Sequence, residues 1–258
     1  MDIQLHDQLI AVGGATSGLG RAVSEQLMAE GARVIGTART QTKLDAMATE
    51  FGDQFIPFAA DMSQDADVDR LIDFLKTQDL YGCCLNAGGP PLGPVSTMQM
   101  TDWDQAYAST LRWKIKLTMA LLPQLQARER SRLIYIESRS IKQPINNLVL
   151  SNAYRAAVAA FVKTLVNEQG ATGLTCNIIG PGFHATPRIE SIIQRQADEQ
   201  QITYAEAEAG FAAQVPTGRI GRPSDLGSLV TWLMSPYADY MTGQIINVDG
   251  GTTKGAWG

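Results

Sequence analysis

The residues of this chain best suited to chemistry form the run Gly-Gly-Ala-Thr-Ser-Gly-Leu-Gly at positions 13–20, which follows an apolar stretch and leads at once into helix-forming sequence. Glycines at 14, 18 and 20 let the backbone come close to a diphosphate. A helix starting there presents unpaired N–H groups and the positive end of its dipole to that ligand. A glycine turn alone also serves ordinary strand-to-helix connections; its βαβ surroundings are what point to a dinucleotide. Other chemistries have little to work with. Cys83, Cys84 and Cys176 are too few and oddly numbered for a disulfide framework and show no metal-ligand spacing with the two histidines. No metal site is expected, and all three thiols are expected to be buried as small hydrophobes. A net charge of −5 leaves no electrostatic footprint for nucleic acid. No apolar stretch approaches a membrane span, and the first residues lack the basic and then apolar pattern of a secretory signal. A soluble, cytoplasmic protein without membrane partners is expected.

The elements that must position this turn are legible from periodicity. Short apolar runs at 9–12, 33–37, 54–59, 82–85, 132–136, 175–179 and 244–248 read as seven strands. Helical spacing fills 19–30, 42–51, 65–77, a long stretch at 103–128, 152–169 and 223–234. This alternation predicts a Rossmann-type, doubly wound α/β fold, a seven-stranded parallel sheet in one domain over residues 1–258. A Gly/Pro-rich loop at 87–94 and a polar, helix-favouring insertion at 188–215 interrupt the regularity. The insertion, lying beyond a strand's carboxyl end, is the candidate substrate loop.

The glycine run resembles the Gly-x-x-x-Gly-x-Gly fingerprint of the short-chain dehydrogenase/reductase family, and the likeness extends over nearly the whole chain. Asn86, Ala87 and Gly88 match most of the family's Asn-Asn-Ala-Gly motif, with Leu85 replacing the first Asn. Pro181 and Gly182 followed by Thr186 match the segment that receives the nicotinamide carboxamide. Val215-Pro216, Gly218-Arg219 and the segment from Thr242 to Gly251 match the carboxyl-terminal part. The resemblance implies a nicotinamide dinucleotide bound by Gly14, Thr16, Ser17, Gly18, Leu19, Gly20, Arg39, Asp61, Met62, Asn86, Ala87, Gly88, Arg155, Pro181, Gly182 and Thr186, with Asp61 at the adenine. Family members that prefer NAD carry an acidic residue after the second strand, where this chain has Ala38 and then Arg39. A guanidinium there suits a 2′-phosphate through paired charge-assisted hydrogen bonds. NADP(H) is therefore expected over NAD(H), which stays open.

The same resemblance locates a catalytic tetrad, and three of its four places have changed. Ser138 takes the place of the serine that polarises the carbonyl. The tyrosine place, thirteen residues on, is Ser151, and the lysine place is Arg155; the match of Phe161 to Leu165 with the following helix fixes this register. Thr110 stands where the family has an asparagine. Four-residue spacing keeps Ser151 and Arg155 on one helix face, and Arg155 could still donate to the nicotinamide ribose although a guanidinium does not relay protons. Tyr154 as the acid is the alternative register, at the cost of three extra residues and the downstream match. Glu137, Lys142 and Tyr154 are candidate substitute donors, each with a plainer reading as a surface or packing residue. An aliphatic hydroxyl is a far weaker acid than a tyrosine, and losing a positioned acid forfeits roughly 10²–10⁴-fold in rate.

Together with Lys-Gln-Pro-Ile at 142–145 and Leu-Ser-Asn at 150–152, the pattern resembles a divergent branch near the β-ketoacyl-acyl-carrier-protein reductases. It implies an oxidoreductase acting on a small or acyl carbonyl with an atypical proton donor. The competing reading is a nucleotide-binding protein with a sensing or structural role and little turnover. The family likeness also implies a homo-oligomer, a tetramer, paired through the helices at 103–128 and 152–169, the second rich in alanine.

Overall fold

A computed structural model describes residues 2–256. Seven strands, β1 (Leu9–Gly13), β2 (Arg33–Ala38), β3 (Phe55–Ala59), β4 (Leu80–Leu85), β5 (Ser131–Ile136), β6 (Leu174–Pro181) and β7 (Ile245–Val248), form one sheet in the order β3-β2-β1-β4-β5-β6-β7. Every neighbouring pair is parallel. Each strand lies within two residues of its expected place. The central strands are apolar throughout because helices cover both faces: all six residues of β4 and of β5 are buried.

The chain leaves β1 toward β2 on one side and returns through β4 on the other, so strand order reverses between β1 and β4. Their carboxyl ends open a crevice there, the usual ligand position of such sheets. Helices α1 (Gly18–Ala29), α2 (Gln41–Phe51) and α9 (Pro223–Met234) cover one face, burying Val23, Leu27, Leu44, Leu226 and Val230 beside Cys84. Helices α3 (Asp65–Lys76), α5 (Trp113–Gln126) and α6 (Val149–Glu168) cover the other, where Leu75, Leu117, Leu121, Val158 and Val162 pack with Cys83 and Cys176. Each such leucine contributes about 2 kcal/mol by leaving water. All three cysteines are free and buried, as expected from the sequence.

One expectation is corrected. Residues 103–128 are not one regular helix: α4 (Met100–Ala106) passes through a π-helical turn, Tyr107–Arg112, into α5. A π-turn accommodates an extra residue per turn and is common near functional sites. The 188–215 insertion is helical, as its composition favours: it forms a pair of helices, α7 (Pro187–Gln200) and α8 (Tyr204–Ala213), closed by a small core of Ile193, Ala197, Ala207 and Phe211. Thr203 caps α8, accepting from the Glu206 N–H at 3.2 Å while Glu206 accepts from the Thr203 N–H at 2.8 Å.

Candidate active site

Two adjoining cavities occupy the crevice. The first, about 490 Å³, runs from Arg39, Thr40 and Lys43 past Asp61 and Met62 to the glycine turn and Asn86. The second, about 370 Å³, shares Gly14, Ser17 and Asn86 to Gly89 with it and continues to Ser138, Ser151 and Arg155 beneath α7.

The residues around the first cavity fit a dinucleotide. Gly14 has φ +63°, a left-handed conformation suited to glycine, and a Cβ there would meet the Asn86 Nδ2 at 2.9 Å. A Cβ on Gly20 would lie 2.3 Å from the Gly14 carbonyl oxygen, so this glycine lets α1 pack onto the turn rather than lining the cavity. Ser17 precedes α1 without a side-chain cap, which leaves the first N–H groups of the helix available to an anion. Asn86 donates from Nδ2 to the Gly13 carbonyl at 3.0 Å and so ties the two loops of the crevice together. Asp61 accepts from the Ser63 N–H and hydroxyl at 2.9 and 2.8 Å, which braces the cavity wall. Apart from Gly20, all the expected dinucleotide residues line one cavity or both: Thr16, Arg39, Asp61 and Met62 the first, Gly18, Leu19, Arg155, Pro181, Gly182 and Thr186 the second.

The second cavity brings Ser138, Ser151 and Arg155 together. Ser151 and Arg155 belong to the buried stripe of α6 that continues through Val158 and Val162. Arg155 Nε donates to the Ser151 Oγ at 3.0 Å, which leaves the serine's own proton free for another acceptor. Arg155 Nη1 donates to the Glu137 Oε2 at 2.9 Å. Ser138 accepts from the Ser140 N–H at 3.1 Å, fixing its oxygen at the end of β5. Tyr154 lies off the stripe. Its ring packs edge-on against Trp103 at 5.7 Å, and its hydroxyl donates to the Trp103 carbonyl at 3.0 Å. Thr110 does not reach either cavity wall: it is buried in the π-turn, and its hydroxyl has no hydrogen-bond partner among the described residues.

The sequence reading missed Lys114. This lysine of α5 is buried and donates to the Glu137 Oε1, so Glu137 holds two cations, Lys114 behind it and Arg155 in front. Glu137 is thus an ion-pair centre rather than a surface or simple packing residue, and Lys142 does not line the cavity. Burial, with Arg155 nearby, pushes the Lys114 ammonium down to about 8 against the opposing pull of Glu137. A signal was available: Leu111, Lys114, Thr118, Leu121 and Leu125 share one helical stripe, and a lysine on a buried stripe requires a partner. No group of residues suited to a metal ion occurs among the described residues.

The family model described as enoyl-(acyl carrier protein) reductase matches residues 14–253. The chain belongs to the short-chain dehydrogenase/reductase family. A 3-oxoacyl-[acyl-carrier-protein] reductase of Haemophilus influenzae is 30% identical over 251 residues, covering 96% of this chain and 98% of the relative. Among solved structures, the L-sorbose reductase of Gluconobacter frateurii, complexed with NADPH and L-sorbose, superposes with a TM-score of 0.93 at 24% identity, covering 99% of this chain and all of that one. An actinorhodin polyketide ketoreductase variant with NADPH gives 0.88 at 27% identity, covering 95% and 97%. The short-chain dehydrogenase/reductase assignment makes the chain an oxidoreductase by family, and no helix among the described residues is long and apolar enough to cross a membrane.

Proposed function

We propose that this protein is a cytoplasmic, NADP(H)-dependent reductase of a small or acyl carbonyl, working as a homotetramer with a proton donor other than tyrosine. The observation that carries the proposal is the convergence of Ser138, Ser151 and Arg155 on a cavity that opens onto the glycine turn, with no tyrosine in its lining among the described residues. Bound NADPH would supply the hydride. Arg39 and Lys43 would hold its 2′-phosphate, and the α1 amino terminus its diphosphate. NADPH in the ketoreductase related at 27% identity supports that preference.

As the carbonyl oxygen gains negative charge, the hydroxyls of Ser138 and Ser151 donate to it. The Arg155 guanidinium, fixed by Glu137, stabilises the charge passing onto Ser151, and water entering the cavity returns the proton to that serine, so that each turnover consumes one hydride and one solvent proton. Preorganised donors of this kind contribute several kcal/mol in a site shielded from water. Lys114 cannot pass its proton to Ser151 through Arg155, because a guanidinium does not release one near neutrality. Its part is to hold Glu137, and Glu137 holds the arginine.

The test is single-turnover oxidation of bound NADPH against a panel of carbonyls, followed by fluorescence. The expected result is slow but measurable oxidation that falls at least tenfold in Ser151→Ala. Absence of oxidation with every carbonyl, or a rate indifferent to both Ser151→Ala and Ser138→Ala, overturns the proposal.

A further inference from the structure

The second cavity is lined by more cationic than anionic residues. Three arginines line it, Arg139, Arg155 and Arg188, and the one carboxylate-bearing residue in its wall, Glu137, already serves Lys114 and Arg155. Arg188 also reaches the first cavity, where the dinucleotide's phosphates supply negative charge, and donates to the Pro90 carbonyl at 3.2 Å. Arg139 does neither. It lines only the second cavity, follows Ser138 in sequence, and makes no side-chain hydrogen bond or ion pair among the described residues.

Its position is nonetheless fixed. The guanidinium stacks over the Phe183 ring at 5.7 Å, and Phe183 is itself held edge-on by Phe211 of α8 at 5.1 Å. Burial lowers the pKa of Arg139, and Asp249 is the one carboxylate that counters this. The Asp249 oxygens, however, are taken by the Gly251 N–H and by the Thr253 N–H and hydroxyl, at 3.0, 2.9 and 2.6 Å. A stacked arginine at the edge of a cavity, without a bonded anion, is preorganised for a planar carboxylate. The remaining wall, with Leu92, Ile145, Leu148, Ile189 and Ile192, suits a hydrocarbon chain.

We infer that the substrate is an oxo acid, a carbonyl compound bearing its own free carboxylate, with Arg139 as the carboxylate's anchor and the carbonyl directed to Ser138 and Ser151. This rests on the reductase reading above. A cationic cavity opposes the positive charge that the nicotinamide gains on oxidation, and a substrate carboxylate would offset that opposition.

The experiment titrates the protein saturated with NADP⁺ with acetoacetate, levulinate and α-oxohexanoate, each against its methyl ester, by calorimetry, and repeats this in Arg139→Gln and Arg139→Lys. At least one acid is expected to bind about tenfold to a hundredfold more tightly than its ester, the range of one charged hydrogen bond. Arg139→Gln should abolish that preference, Arg139→Lys should restore part of it, and NADPH affinity should stay within about twofold throughout. Failure of all three acids to bind, equal binding of acid and ester, or an unaltered preference in Arg139→Gln overturns the inference. So does a fall in NADPH affinity as large as the fall in acid affinity. If the acids bind with the expected preference and no carbonyl oxidises NADPH, the anion site stands and the reductase reading fails.

Discussion

Replacing Glu137 with glutamine should expose how much of the site rests on one carboxylate. The substitution keeps the shape but strands two buried cations. Lys114 has an escape, since it can give up its proton. Doing so at pH 7 costs about 5 kcal/mol relative to the unfolded chain, roughly 3.5 pH units at about 1.4 kcal/mol each. Burial has already pushed this lysine down to about 8, so the wild-type protein bears about 3 kcal/mol of that and at most about 2 is added. Arg155 has no such escape and loses a charged hydrogen bond, about 1.5–3 kcal/mol, part of which the glutamine carbonyl recovers. The total, about 3–4 kcal/mol, corresponds to roughly 10 °C in Tm for a chain of this size. Thermal unfolding of the cofactor-free protein at pH 7, followed by circular dichroism, measures it. Lys114→Met added to Glu137→Gln removes one stranded cation and should recover about half the loss. A Tm within about 2 °C of wild type, or a double variant no more stable than the single one, refutes the reasoning.

Other outcomes follow from the same geometry. Tyr154→Phe should leave single-turnover NADPH oxidation within about twofold of wild type, because that hydroxyl is spent on the Trp103 carbonyl; a loss of tenfold or more would make it the acid. Arg39→Ala should weaken NADPH about tenfold or more in calorimetric titration and leave NADH unchanged, as expected when a charged contact to the 2′-phosphate is lost. For the pH dependence of stability, Lys114 releases its proton at about 8 when folded and at 10.5 in its ordinary state. Over that window the unfolded chain holds one more proton, so this group makes stability rise with pH, and its contribution is lost as pH falls through about 8. Urea titrations from pH 7 to pH 10 should show that rise shrinking in Lys114→Met; an unchanged slope would mean that Lys114 titrates normally.

What could be read from the sequence was whatever depends on local backbone needs or on one element's periodicity. The glycine turn announces itself because Gly14 and Gly20 tolerate no side chain. Ser151 and Arg155 share the stripe of Val158 and Val162, so their common face followed from spacing alone. The α7–α8 pair was legible as well, from the helix-favouring composition of 188–215, with Pro187 after the capping Thr186 and the Thr203/Glu206 capping box marking the two starts. The Lys114, Glu137 and Arg155 array was hidden for a different reason. Its members come from α5, the end of β5 and α6, and only tertiary packing decides that a lysine and a glutamate 23 residues apart meet. The π-turn was hidden too, because one extra residue per turn leaves composition unchanged.

The buried thiols give this fold an internal clock. Cys83 and Cys84 are successive residues of β4 facing opposite layers, Cys176 lies on β6, and burial raises all three thiols, Cys83 and Cys176 to about 12. An alkylating reagent needs an exposed thiolate, so the folded protein should be inert to it, and each label should record one opening of the central sheet. Because neighbouring cysteines sample the two faces, the order of labelling would tell whether the layer of α1 and α9 or that of α3, α5 and α6 lifts first. No probe would have to be engineered into the molecule.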